Sequence, residues 1–587
     1  MTIADINHHI LKVISKAQNE AYPNSKDAAL PLSIPPDLSL GHLAVGCFSL
    51  AKPLRQNPAV IAGEIACRIL PDELIESVSA AGPYLNFRLK EPALFREMAA
   101  EITNRAELFG VQNPTDERVM VEYLSPNTNK PLHLGHLRNG ALGMAISNLL
   151  AAKGDTVMKA NLINDRGIHI CKSMLAWQKW ANEETPESAG KKGDTFVGDC
   201  YVRFAKESDT DASLLKNAQE MLQAWEENDP EVHALWAKMN EWVIAGFNET
   251  TRQFGLLFDT IYYESDTYQM GKDIILEVVA KGIFEKDNAG NVICMLPEEE
   301  FGTEKDGGQR FVTLLRPDGT SLYMTQDIGT AVQKAEDHHL TSSVYVVGSE
   351  QDYHFQCLFY ILQKLGYPWA DKCYHRSYGM VYLPDGKMKS REGKVVDADA
   401  LMAEMILLAA NEIQKRDVHK ELSADEIQHR ASIIAIGAIK FYLLRVRPTQ
   451  SIHFDPEESI SFDGFTGPYC QYAYARIYGI LEKAKETYSL TDVTVTNELT
   501  PEEIALLMCL YEYPQEIVTA ADEYMPSRMA NYVFTLAKTF NQFYNRHSVL
   551  KSDNEQQVKA RLALIAMTAQ VLKNGLGLLG IDVLENM

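Results

Sequence analysis

The stretch from Val119 to Ile163 limits what this chain can fold into more than any other. It opens with VMVEYL (119–124), a β-prone run that ends at the turn signals Ser125, Pro126 and Asn127. From about His136, apolar residues recur with a helical period at Leu137, Ala141, Leu142, Ala145, Leu149 and Leu150, and Gly154 supplies a stop. Residues 157–163 (VMKANLI) read as a second strand. Strand, helix and strand in that order predict a βαβ unit. The expected class is α/β, with a Rossmann-like parallel sheet covered on both faces.

The loop between strand and helix carries His133-Leu134-Gly135-His136. A helix N-terminus offers unpaired N–H groups and the positive end of a dipole, which suits phosphate. Gly135 lets a ligand approach the backbone, and two imidazoles can donate hydrogen bonds to phosphate oxygens as charge develops. Two idle loop histidines are the plainer reading. Their place at a strand-to-helix turn favours the phosphate reading.

A chain of 587 residues exceeds what one core supports, so three or four domains are expected. No apolar run approaches the length of a membrane span, and the first twenty residues lack the basic-then-apolar order of a secretory leader. Nine cysteines without C-x-x-C pairs fit reduced thiols and a cytoplasmic location, with no permanently bound metal. The net charge of −23 weighs only weakly against a nucleic-acid partner, because overall charge says little about a local basic surface.

HLGH, preceded by SPNTNKP and followed by LRNGALG, resembles the HIGH signature of class I aminoacyl-tRNA synthetases. Its flanks are similar to those of the arginyl-tRNA synthetase family. The rest of the chain follows that resemblance in order. Residues 2–20 read as an amphipathic helix started by Thr2 and Asp5, and 73–80 and 84–90 as strands around Ala81-Gly82-Pro83. These make an α+β domain over 1–92, which the resemblance assigns to tRNA contact; the segment where the family reads HGDYATN is altered here. The Rossmann-like catalytic domain is expected over 115–400. It is interrupted at 171–300 by a helical connective insertion with Trp177, Trp180, Trp225, Trp236 and Trp242, read as core. Residues 319–331 and 343–348 restore strand and turn patterns. Asn164-Asp165-Arg166-Gly167, and the run Gly348 to Asp352 with His354, follow strands, where open α/β sheets hold ligands. A helical linker is expected over 401–455 and an all-helical bundle over 456–587. Helix starts are marked by Ser423/Glu426 and Thr500-Pro501/Glu503, and a stop by Asn574-Gly575. GPYCQYAYAR (467–476) resembles the start of a DALR anticodon-binding domain. Tyr469, Tyr472 and Tyr544 are candidates for stacking on unpaired bases.

Residues 387–391 (KMKSR) resemble the KMSKS loop with one register departure: Lys387 and Met388 match, while Lys389-Ser390 come one place early. In the arginyl branch a lysine just before the HIGH element is thought to stand in for the missing one, and Lys130 holds that place. The resemblance therefore assigns ATP to His133, Gly135, His136, Lys387, Met388, Lys389 and Ser390. It assigns catalysis to His133, His136, Lys130, Lys387 and Lys389. A guanidinium calls for carboxylates. Glu122 and Asp327 are candidates at ligand-facing strand ends; the resemblance assigns them to the guanidinium, with Tyr323 lining the pocket and Asn127 and Gln351 near the amino acid's backbone groups or the pocket wall. The expected partners are L-arginine, ATP with Mg2+ as its substrate complex, and tRNA(Arg); a monomer and no membrane contact are expected. An RNA-independent nucleotidyltransferase on the same fold and a non-catalytic RNA-binding relative are the alternatives. The long insertion and helical C-terminal region weigh against the first, and the intact HLGH with Glu122 and Asp327 against the second.

Overall fold

The structure is a computed structural model. It describes all residues except 24–29, 269, 305–306, 384–395, 417–421, 490–492, 494, 496–497 and 553. Its centre is a parallel five-stranded sheet: β1 (Arg118–Glu122), β2 (Thr156–Ile163), β3 (Thr260–Tyr263), β4 (Ser342–Gly348) and β5 (Tyr374–Tyr378), in the spatial order β5-β4-β1-β2-β3. Register aligns Glu122 with Ala160 on one side and Tyr345 on the other, so β1 is central rather than an edge. Chain order reverses between β1 and β4. That is the switch point at which open α/β sheets form a crevice beyond their C-terminal ends.

Helix α1 (Leu134–Lys153) crosses from β1 to β2 and ends on Gly154 at φ +106°. A Cβ at that glycine would stand 2.1 Å from the Asn113 carbonyl oxygen, so both the space and the backbone conformation require glycine. Between β3 and β4 lie a small antiparallel sheet and helix α2 (Tyr323–His338); helix α3 (Asp352–Lys364) follows β4. Reading 319–331 as strand and turn is thereby corrected. Met324, Ile328, Ala331, Val332 and Ala335 are buried at helical spacing, and Gly329 is there for packing, since a Cβ on it would meet the backbone of Gly271 at 2.3 Å. Asp327 accordingly stands on a helix, not at a strand end.

The N-terminal region is helix Ile3–Ala21, with the predicted Thr2/Asp5 capping box, over a four-stranded antiparallel sheet. The chain from Gly467 to Leu578 is helical apart from its connections, and Thr500 and Glu503 cap Pro501–Asp522 reciprocally. The last helix, Glu555–Leu578, runs through Asn574-Gly575 rather than stopping there. Gly575 faces Val533, and a Cβ there would lie 2.5 Å from Val533 Cγ1, so its smallness serves helix contact. Of the insertion's tryptophans Trp225 is buried, stacked on His233 and edge-on to Trp236, while Trp177, Trp180, Trp236 and Trp242 are half-buried against the core.

Candidate active site

The helix start of α1 is built by its own two histidines. His133 is the N-cap, and its Nδ1 accepts from Gly135 N–H at 3.1 Å; His136 Nδ1 accepts from His133 N–H, also at 3.1 Å. The rings lie 3.8 Å apart. Because both Nδ1 atoms accept, the hydrogen bonds assign the proton to Nε2 on each ring. Burial, reinforced by Lys130, pushes His133 down to about 4. Burial, then His133 and Lys130, put His136 well below its ordinary value. At neutral pH the pair is uncharged: two half-buried imidazoles with fixed N–H donors beside a helix N-terminus. A Cβ on Gly135 would sit 3.0 Å from the His133 ring.

The two residues after His136 and Leu137 fasten this corner to the sheet. Arg138 has no exposed surface and donates to three carbonyls, those of Met380 (3.4 Å), Pro448 (2.7 Å) and Gln450 (2.6 Å). Burial lowers its guanidinium to about 10. Asn139 accepts from Leu124 N–H and donates to the Val346 carbonyl at 2.8 Å, tying β1 to β4. Leu124 and Ser125 both have positive φ (+78° and +45°), and Asn161 Oδ1 holds Ser125 N–H at 3.0 Å. A left-handed turn in two non-glycine residues just past Glu122 is strain held by those amides.

Beyond the ends of β1, β2 and β4 lies a cavity of about 240 Å³, lined by residues that include Glu122, Asn164, Asp327, Lys334, Gln351 and His354. Glu122 is 7% exposed and is ion-paired with Lys334, which is 2% exposed. Asp327 is more open and meets His354 Nε2 at 2.6 Å. Glu122, Asp327 and Gln351 therefore share one cavity. Asn127 is exposed, bridged to Asn164. Tyr323, 78% exposed, stands outside the lining as the first residue of α2. Lys387, Met388, Lys389 and Ser390 lie outside the described residues. The chain re-emerges at the histidine corner: Asp397 bridges His133, Leu134 N–H donates to the Val396 carbonyl at 2.9 Å, and Ala398 N–H to the Leu132 carbonyl at 3.0 Å.

Three family models match the chain: the class I (R) tRNA synthetase catalytic domain over residues 98–455, the DALR anticodon binding domain over 470–587, and the arginyl tRNA synthetase N terminal domain over 4–89. The arginine–tRNA ligase of Bacteroides fragilis is 45% identical over 569 residues, covering 93% of this chain and 94% of its own. That of Treponema denticola is 41% identical, covering 99% and 100%. The chain belongs to the arginyl-tRNA synthetase family. Among solved structures, the Thermus thermophilus arginyl-tRNA synthetase is similar with a TM-score of 0.84 at 27% identity, covering 99% of this chain and 100% of that one.

In the family's DALR region the three predicted tyrosines come together. Arg476 is sandwiched, its guanidinium 4.7 Å from the Tyr472 ring and 5.3 Å from the Tyr544 ring. Arg476 also donates to Asn541 Oδ1 at 2.7 Å, and Asn541 donates to the Tyr469 hydroxyl at 2.9 Å. Tyr544 is the most exposed of the three. The sequence reading missed Lys334, which stands seven residues after Asp327 on the same face of α2; the helical period would have revealed it had 319–331 been read as helix. It also missed Arg138 and Asn139, whose partners lie far away in sequence. Among the described residues, no group of three or more His, Cys, Asp or Glu is placed to hold a metal ion, and no helix is long and apolar enough to cross a membrane.

Proposed function

We propose the following division of labour for an enzyme that activates L-arginine with ATP and transfers the arginyl group to the 3′ end of its cognate tRNA. The arginine carboxylate attacks the α-phosphate in line and pyrophosphate leaves. The Nε2–H groups of His133 and His136 donate to phosphate oxygens as charge moves onto them, with Gly135 letting the nucleotide approach. Because both imidazoles are neutral, they act as aimed dipoles and carry no proton load of their own. Lys130, Lys387 and Lys389 hold the leaving pyrophosphate as point charges, with Met388 and Ser390 in the same segment, and Mg2+ arrives on ATP to share that charge. No side-chain nucleophile is required, so catalysis is positioning and electrostatics.

Glu122 and Asp327 take the guanidinium, with Gln351 beside them; Asn127 and Tyr323 act at the rim when the amino acid is bound. The observation that carries this reading is the shared connection. Glu122 ends β1 and His133 caps α1, so one strand-to-helix turn separates an acidic cavity from an anion-ready helix start. The region over 1–92 and the tyrosines Tyr469, Tyr472 and Tyr544 contact tRNA, the latter by stacking on anticodon bases. The catalytic domain spans 115–400 with its insertion at 171–300, the linker 401–455 and the anticodon-binding bundle 456–587. The enzyme works as a cytoplasmic monomer.

The test is pyrophosphate exchange into ATP with each of the twenty amino acids, with and without total tRNA. Exchange with arginine alone, and only when tRNA is added, is the expected result. Exchange driven by another amino acid would overturn the assignment of Glu122 and Asp327. No exchange under any condition while tRNA still binds would overturn the assignment of the histidine corner.

A further inference from the structure

The arginine cavity contains a cation of its own. Lys334 reaches the floor of the cavity from α2, two helical turns below Asp327, and its ammonium is bonded to Glu122 Oε2 with the Tyr262 ring 5.1 Å away. Both partners are buried, so their attraction is little screened, and neither is free to leave without stranding the other. The cavity wall therefore carries two carboxylates and one ammonium, which together count a formal charge of −1. Glu122 offers only its second oxygen to a ligand, and Asp327, at the more open rim, meets His354 Nε2 on Oδ2 but no lysine or arginine.

We propose that Lys334 is a specificity-determining positioning residue of the arginine site. By occupying one oxygen of Glu122 it fixes the direction of the other, and by cancelling one negative charge it matches the cavity to a side chain with a single positive end. Without it, two carboxylates would share a small cavity, one of them buried and unpaired. That arrangement favours an extra cation or proton over a well-oriented guanidinium. The inference rests on the reading of Glu122 as an arginine ligand, and the variants separate the two. Lys334 makes its contact with Glu122 rather than with the reacting atoms, so it is expected to act on KM and leave kcat alone.

The experiment is arginine-dependent pyrophosphate exchange, with saturating tRNA and ATP, on Lys334→Met, Glu122→Gln and the double variant of the whole chain. Lys334→Met is expected to raise the KM for arginine roughly ten- to hundredfold with kcat within about threefold, the size of a lost charge-assisted hydrogen bond. An unchanged KM in a variant that melts cooperatively like the parent would overturn the proposal. The double variant replaces the pair by neutral groups of similar shape, so it tests the idea even if Lys334→Met does not fold. If Lys334 works only through Glu122, the double variant's KM equals that of Glu122→Gln alone. A further tenfold loss in the double would overturn the proposal. A Glu122→Gln enzyme with the parent's KM would instead remove Glu122 from the arginine site and leave the histidine corner untouched.

Discussion

The histidine corner and the acidic cavity sit on either side of one strand-to-helix turn, yet they are built differently. The corner is local. Four consecutive residues supply the cap, the two acceptors of backbone N–H groups, the small residue and the donors. The cavity is assembled from β1, β2, β4, α2 and α3, and its polar residues Glu122, Asp327, Lys334 and His354 span more than two hundred positions. A local device succeeds or fails as a unit and its members act on the reaction step. A dispersed one can be tuned residue by residue, and its members act on affinity. The difference predicts which kinetic constant each substitution moves.

The largest effect is expected at the corner. His136→Ala removes the proposed donor to the phosphates and also the acceptor that holds His133 N–H, so adenylate formation is expected to fall about 10²–10³-fold in kcat. Affinity for tRNA, measured by filter binding, is expected to stay within about twofold, because the tyrosines proposed to contact tRNA lie in the C-terminal helical region, far from the corner in sequence. Loss of both in equal measure would mean that the corner is a folding element rather than a reaction element, and the contrast with the cavity would collapse.

A smaller effect, with the opposite kinetic signature, is expected in the cavity. Asp327→Asn keeps the shape and the acceptor for His354 but loses the charge facing the ligand. The KM for arginine is expected to rise roughly ten- to hundredfold while kcat moves much less. A variant that lowers kcat with KM unchanged would place Asp327 among the groups that act on the transition state and would make the cavity resemble the corner.

The same contrast explains what the sequence made legible. HLGH, the Thr2/Asp5 box and the Thr500/Glu503 box could be read because each is a short-range arrangement whose physics is complete within four residues. Glu122 could be read as a strand-end carboxylate because β1 was bounded by clear turn signals. Lys334 could not, because Tyr, Thr and Ile within 319–331 suggested a strand and hid the helical spacing that puts it beneath Asp327. The glycines misled for a related reason. Gly329 and Gly575 look like breaks in one dimension and are contact points between helices in three. The three carbonyls around Arg138 and the left-handed turn at Leu124 and Ser125 leave no local trace, since their causes lie in connections more than two hundred residues away and in Asn139 and Asn161.

A last comparison sets the two regions against each other through pH. At the corner, burial holds His133 near 4 in the folded chain, below the ordinary histidine value. The unfolded chain therefore binds more protons than the folded one below that ordinary value. The stability His133 contributes is fully present above about 6.5 and is lost as pH falls towards 4, by about 1.4 kcal/mol per pH unit within that window. His136, also held well below its ordinary value by burial, adds a loss of the same sign. Beside the cavity the sign reverses. Glu264, half-buried against Arg166 and near Asp165 and Asp327, is raised to about 7 mainly by desolvation. Its contribution is present below the ordinary carboxylate value and is lost as pH rises through 7. Urea unfolding between pH 5 and 8 separates the two. A His133→Asn variant is expected to flatten the acid limb and leave the alkaline limb alone, and Glu264→Gln to do the reverse. If both variants flatten the same limb, the two regions titrate as one coupled site and the division between a local corner and a dispersed cavity does not hold.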